Sequence, residues 1–285
     1  MTAVTAAPRS EGTERPGVPA ALSSDELRAM ARVAGAVLPP ELLDGWDRED
    51  IAVADTVAVR SLLARGLLQL RPGGVALTRA ARGALDPLLD ARALAGLSLL
   101  GRDGEERRQL VAESTAGTLL LTEREPDVWT LDPIPGPAER AAAWLAADLL
   151  EEGVRPAPAG AAFTAPAGTL RQTDRLLTAG RFADVATALT RAGVPAALAD
   201  GWVTVLRSRV ATGQVRLTRR LATDVYSGGT VRWVDAGTAG VWLVEPDEPP
   251  DDDVDDAAEP TVRLTDAGVT GVRAALTALL EEDPR

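Results

Sequence analysis

The sequence predicts an α+β fold with pseudo-two-fold organisation, in which a central antiparallel β-sheet is flanked by helical bundles. Three observations lead there. Four short runs of strand character between Leu97 and Asp132 are separated by turns too short for parallel crossovers. The order of helices, strands and a closing Leu/Ala-rich helix occurs twice along the chain. Finally, 285 residues with 46% hydrophobic composition supply enough apolar surface for one large core. Two halves that each make an incomplete sheet can share one sheet, so the repeat predicts a single unit rather than two independent domains.

Residues 1–22 are Pro, Gly, Ala and charge without periodicity, and are read as a disordered arm ahead of a domain spanning 23–285. Ser23 and Glu26 have capping-box spacing, and Leu27, Met30, Ala31, Ala34 and Leu38 keep one helical face apolar until Pro39 and Pro40. A second helix is expected from Glu49 to Arg65, stopped by Gly66. LLQL, a Pro-Gly-Gly turn and VALT then form a hairpin, followed by a helix from Arg79 to Leu89. LSLL, RQLVAES, TLLLTE and VWTLD make the meander, and a helix after Pro137 buries Trp144, Leu145 and Leu149 to close the first half, 23–152.

Residues 153–168, rich in Pro, Ala and Gly, read as a connector. The second half, 169–285, brings helices at Thr169–Leu177, Phe182–Ala192 and Pro195–Arg209. The strands VRLTRRLATDVY, VRWVD, AGVWLVE and TVRLT follow, and then the final helix. YSGG at Tyr226 to Gly229 reads as a hairpin turn. An acidic loop at 245–260 separates the last two strands.

Composition removes many chemistries. The chain has no Cys and no His, which excludes disulfides, thiolate and imidazole metal ligands, Cys nucleophiles and every triad with an imidazole base. All basic residues are Arg. Net charge is −12, but Glu245 to Glu259 carries nine acidic residues and no basic one, leaving 33 acids against 30 Arg elsewhere. A near-neutral body generates no field that draws it to nucleic acid or an anionic membrane. No apolar run reaches the ~18 residues of a membrane span, and the first residues lack a secretory leader pattern, so the expected location is the cytoplasm. No cofactor, metal or catalytic residue is expected. The acidic run lacks the central Gly and twelfth-position Glu of a calcium loop, and the YSGG text lacks the spacing of a phosphate-binding loop.

The order of elements resembles the EspG proteins associated with ESX (type VII) secretion. The pieces that carry the resemblance are SSDELRAMARVAGAVLPPELL, VRSLLARGLLQL, QLVAESTAGTLLLTEREPDVWTLDPIP, VYSGGTVRWVDAGTAGVWLVEPD and VRLTDAGVTGVRAALTALLEE, spanning Leu22 to Glu282. The resemblance implies a non-enzymatic cytosolic chaperone that binds helical PE and PPE secretion substrates at an aggregation-prone tip and keeps them soluble. Two departures stand out: the turn at Ser114 to Thr118 is tight where the family implies a long partner-contacting loop, and the acidic tract is an insertion.

The expected partner surface is the second-half sheet around Val231, Trp233 and Trp242, with Leu176 and Phe182 as neighbours. Trp233 and Trp242 lie on adjacent strands and would stack on one face if the register allowed; as core residues they need no such role. Trp129, Trp144 and Trp202 have the spacing of packing residues. Arg216, Arg219 and Arg220 form a basic cluster whose first and last members share a strand face. The alternative function is a winged-helix DNA-binding regulator, since VRSLLARGLLQLRPGGVALTRAARGALDPLL has a helix, a wing-like hairpin and a returning helix. That reading needs another helix between Pro40 and Asp50, and a pI of 4.6 opposes it.

Overall fold

In the computed structural model the described residues are 21–36, 38, 42, 51–137, 158–222, 225–247 and 260–281. Residues 1–20 of the expected arm, the Trp144 helix and residues 248–259 of the expected acidic loop lie outside them; at the borders the expectation is corrected, because Leu22 is a buried strand residue paired with Trp129 and Glu245 to Asp247 are strand paired with Arg263 to Thr261. The first half begins with a two-residue strand β1 (Leu22–Ser23) and helix α1 (Ser24–Ala34). The capping box read from the sequence is present: the Ser23 hydroxyl accepts from the Glu26 N–H, and the Glu26 carboxylate accepts from the Ser23 N–H, both at 3.1 Å. α1 ends earlier than expected, because Gly35 turns left-handed (φ 72°) and its N–H closes onto the Ala31 and Arg32 carbonyls; Pro39 and Pro40 are not what stops it.

Helix α2 (Ile51–Ala64), the hairpin of β2 (Leu68–Arg71) and β3 (Gly74–Leu77), and helix α3 (Arg79–Leu89) follow as the sequence suggests. The meander is β4 (Ala93–Gly101), β5 (Glu106–Ser114), β6 (Gly117–Glu125) and β7 (Val128–Ile134).

The second half has β8 (Ala162–Pro166), helices α4 (Ala167–Thr178), α5 (Phe182–Arg191) and α6 (Ala196–Ser208), strands β9 (Ala211–Ala222), β10 (Val225–Asp235), β11 (Val241–Asp247) and β12 (Thr261–Asp266), and helix α7 (Gly268–Glu281). Two expectations are corrected here. Residues 162–166 are not connector: AFTAP is an edge strand paired with β12, burying Phe163 and Ala165, and its one Pro stands at the strand's last position, where an edge tolerates it. Tyr226 to Gly229 is not a turn either. It is strand, paired with Arg220 to Leu217, and the hairpin closes at Ala222 and Val225. The glycines serve packing: a Cβ on Gly228 would run into the Leu217 carbonyl, and one on Gly229 would come within 2.6 Å of Leu279 Cδ1.

Ten strands form one sheet in the order β1-β7-β6-β5-β4-β9-β10-β11-β12-β8, with every pairing antiparallel. The first strand of each meander lies at the centre and the last pairs with the N-terminal edge strand of its own half. The halves meet where β4 lies against β9, with Leu97 opposite Val215 at mid-ladder.

Alternation along the strands assigns the core to three clusters. On one face, α1 to α3 cover Leu110, Leu119, Leu121 and Trp129 at one end, and α4 to α6 cover Phe163, Trp242 and Leu264 at the other. The opposite face buries Leu97, Val215, Leu217, Trp233 and Leu243 under Val272, Leu276 and Leu279 of α7.

Candidate partner-binding surface

The two helical lobes stand on the same face of the sheet and leave its middle uncovered by any described helix. One cross-strand row shows how the sequence arranges this. It runs Leu22, Trp129, Glu123, Arg108, Ser98, Gln214, Arg232, Val244, Leu264, Phe163, with the Glu123 to Arg108 step made by an ion pair. The ends are apolar because helices cover them; the middle is polar because it faces open space.

From β5 to β10 the uncovered floor crosses three strand spacings, roughly 14 Å at ~4.8 Å each, which accommodates a helix of about 10–12 Å diameter. One hollow there, of about 550 Å³, is lined by Gln214, Arg216, Thr218, Thr230 and Arg232 among others. A second of about 370 Å³ adjoins it and is more apolar, with Leu100, Val234 and Val244 in its wall. A third of about 260 Å³ reaches Arg108 and Trp129. Gln214 lines all three, so they form one trench. Leu100 and Val210, two of the most exposed large apolar side chains, stand at the same end of β4 and β9.

Charged and polar side chains are fixed to one another along the trench. Arg108 donates from Nε and Nη2 to the two Glu123 oxygens at 2.6 Å each, and its guanidinium lies 5.5 Å from the Trp129 ring centre. Its hydrogen bonds to Glu123 raise its pKa above the ordinary arginine value despite partial burial, so the charge is permanent. Arg232 Nε donates to Gln214 Oε1 at 3.3 Å.

The five side chains expected to contact a partner do not form one surface. Register places Trp233 opposite Leu243 and Trp242 opposite Val234, so the two indoles are on opposite faces, and the expected same-face stack does not occur. Trp233 is 1% exposed and packs with Val231 under α7. Trp242 is 6% exposed, in edge contact with Trp202 (5.4 Å between ring centres), while Leu176 and Phe182 pack at half-buried positions around the same cluster. Arg207 lies 4.5 Å from the Phe182 ring centre. The sequence reading passed over the polar positions at 98, 214 and 232. Their signal was present: a polar residue at every second position of β9, Thr212, Gln214, Arg216, Thr218, Arg220, alternating with Val215 and Leu217.

Among the described residues no three acidic, Cys or His side chains converge as a metal site. No helix there is long and apolar enough to cross a membrane.

No protein-family model matches the chain, and no curated protein matches it by sequence. Among solved structures, its fold is similar to that of the Mycobacterium tuberculosis type VII secretion system chaperone EspG5, solved in complex with a PE25-PPE41 dimer. The similarity covers 93% of this chain and 96% of that one, with a TM-score of 0.58 and 15% sequence identity. At that identity the likeness is one of fold. The tight first-half turn is present, Ser114 pairing with Gly117, and the Ala116 N–H bonds to the Ser114 hydroxyl at 2.9 Å.

Proposed function

We propose that the protein is a non-enzymatic cytosolic chaperone that binds a helical, PE/PPE-like substrate of a type VII secretion system and keeps it soluble. The observation that carries this reading is the near end-to-end fold likeness to EspG5, whose solved complex holds a PE–PPE dimer. The strand order, which reads alike from either edge, supports treating the chain as two similar halves related by a pseudo-two-fold axis between β4 and β9.

The trench between the lobes suits the task. It is wide enough for a helix, its floor offers Arg216, Arg232 and Gln214 to polar positions, and its Leu100–Val210 end offers apolar contact to a tip that would otherwise aggregate. The buried indole at 233 packs beneath the floor, on the sheet's other face, and the one at 242 packs within the second helical lobe.

Coexpression with PE–PPE pairs tests the proposal. The soluble fraction of a cognate pair should rise severalfold with the chaperone present. If no pair is solubilised and the purified chain instead shifts a specific DNA duplex, the winged-helix alternative replaces it.

A further inference from the structure

The two sides of the trench carry opposite charges. Glu106 on β5 and Arg232 on β10 line the same hollow of about 370 Å³. Between them runs the cross-strand row Leu100, Thr212, Val234, which starts opposite Glu106. Strand alternation fixes which residues face the lobes, since they share a face with Arg108, Ser98, Gln214 and Arg232. On that face Glu106 is the only acidic residue of β5, β4, β9 and β10. β9 and β10 place Arg216, Arg220 and Arg232 there and no acid.

Neither wall charge is cancelled locally. Arg108, two residues along β5 from Glu106, commits its Nε and Nη2 to Glu123. Arg232 bonds to Gln214 through Nε alone. Both Glu106 and Arg232 are exposed, and no ion pair engages either among the described residues.

A helix lying along the strands can enter such a trench in two directions. Turning it end for end keeps its apolar ridge on the floor but exchanges its two flanks. The floor therefore reads only the ridge, whereas walls of opposite sign read the direction, as flanking charges do in paired helices. One exposed pair contributes little. Reversal, however, loses two attractions and creates two like-charge contacts, so the effects act together.

We infer that Glu106 and Arg232 set the direction in which the trench takes its helix, and that the partner helix carries a basic residue on its β5 flank and an acidic residue on its β10 flank. The inference rests on the trench as the site of the helical substrate and adds to it the polarity of the bound helix.

The test uses the full chain. It contains no cysteine, so Arg102→Cys, exposed in the turn after Leu100, takes a single spin label at the Leu100 end of the trench. The probe is a stapled 18-residue helix with a leucine ridge, Arg along one flank and Glu along the other, spin-labelled at one terminus or the other. Its ends are about 27 Å apart, so electron–electron distances separate the two directions. One direction should exceed the other at least fivefold, and Glu106→Arg with Arg232→Glu should invert the ratio. Glu106→Gln or Arg232→Gln alone should each lower it, as should raising salt to about 0.5 M. Equal populations of both directions, or a ratio unmoved by the double exchange, overturns the inference while leaving the trench as a helix site. A probe that does not bind, or binds regardless of Leu100→Asp, overturns the trench as a helix site and the inference with it. A dimer of this chain that dissociates on Leu100→Asp would assign the trench to a second copy, which also overturns it.

Discussion

Gly213 lies directly across the β9–β10 ladder from Trp233, and the indole occupies the space that a Cβ on residue 213 would need. The pair sits beside the junction of the two halves, where β9 also carries the β4 ladder. A glycine in a central strand normally weakens it; here its missing side chain lets a large aromatic lie flat on the sheet.

Gly213→Ala should therefore destabilise the protein by about 2 kcal/mol or more through overpacking, and Trp233→Ala by about 4 kcal/mol through the cavity it leaves. In the double variant the costs should fall short of additivity, because the alanine at 213 fills part of that cavity. Urea unfolding of the four proteins measures this.

Glu26 gives the first lobe an acid-sensitive lock. Burial alone would raise its pKa, but hydrogen bonds from Ser61, Arg65 and the Ser23 N–H outweigh it and hold the carboxyl below the ordinary glutamate value. A carboxylate whose pKa is lower in the fold stabilises above its unfolded pKa of ~4.3, and loses that stabilisation as pH falls through the folded value. Glu26→Gln should cost about 2 kcal/mol at pH 7 and flatten stability across the acid limb. Asp25 works in the opposite sense, since burial raises its pKa despite Arg28 nearby, so its ionisation opposes folding as pH rises.

Asp55→Ala should cost about 3 kcal/mol, because it removes the carboxylate shared by Arg28 and Arg32 and leaves the largely buried Arg28 with only Asp25, at 3.5 Å. Thermal unfolding compared with Asp86→Ala, which breaks a more exposed pair, separates the two: the exposed pair should cost under about 1 kcal/mol.

The β11–β12 ladder is paired as far as Asp247 and Thr261, so the sheet is complete without the acidic residues between them. Replacing Pro249 to Ala258 by a short Gly-Ser connector should shift the melting temperature by less than about 3 °C, the scale of 1 kcal/mol in a protein of this size.

Leu100→Asp should leave the melting temperature nearly unchanged, since the side chain is 40% exposed, yet weaken substrate binding at least tenfold if the apolar end of the trench takes the substrate tip. Binding unchanged by that variant would move the contact elsewhere on the chain.

Local signals in the sequence were reliable guides to local structure. The Ser23–Glu26 box, the Pro-Gly-Gly hairpin and the Arg79–Leu89 helix each depend on residues close in sequence, and each is present. The single antiparallel sheet was legible too, because the short turns leave no room for crossovers. What failed depends on distant partners. AFTAP has little strand propensity and becomes strand because β12, almost a hundred residues later, supplies its ladder. Ser227, Gly228 and Gly229 look like a turn until Leu217 is placed beside them. The relative face of Trp233 and Trp242 depends on the length of the Ala236–Gly240 link, with its single 3₁₀ turn, because a one-residue change in register inverts a strand's faces. The trench was missed for the same reason, since its floor joins four strands from both halves.

The proposed function requires this chain to hold a helical secretion dimer. Light scattering coupled to size-exclusion chromatography measures that directly, with purified protein mixed with a coexpressed cognate PE–PPE pair. The account expects one peak containing all three chains, at a mass equal to the sum of 29.7 kDa and the dimer, and loss of that peak with Leu100→Asp. Separate elution of this chain and every PE–PPE pair offered to it would contradict the account.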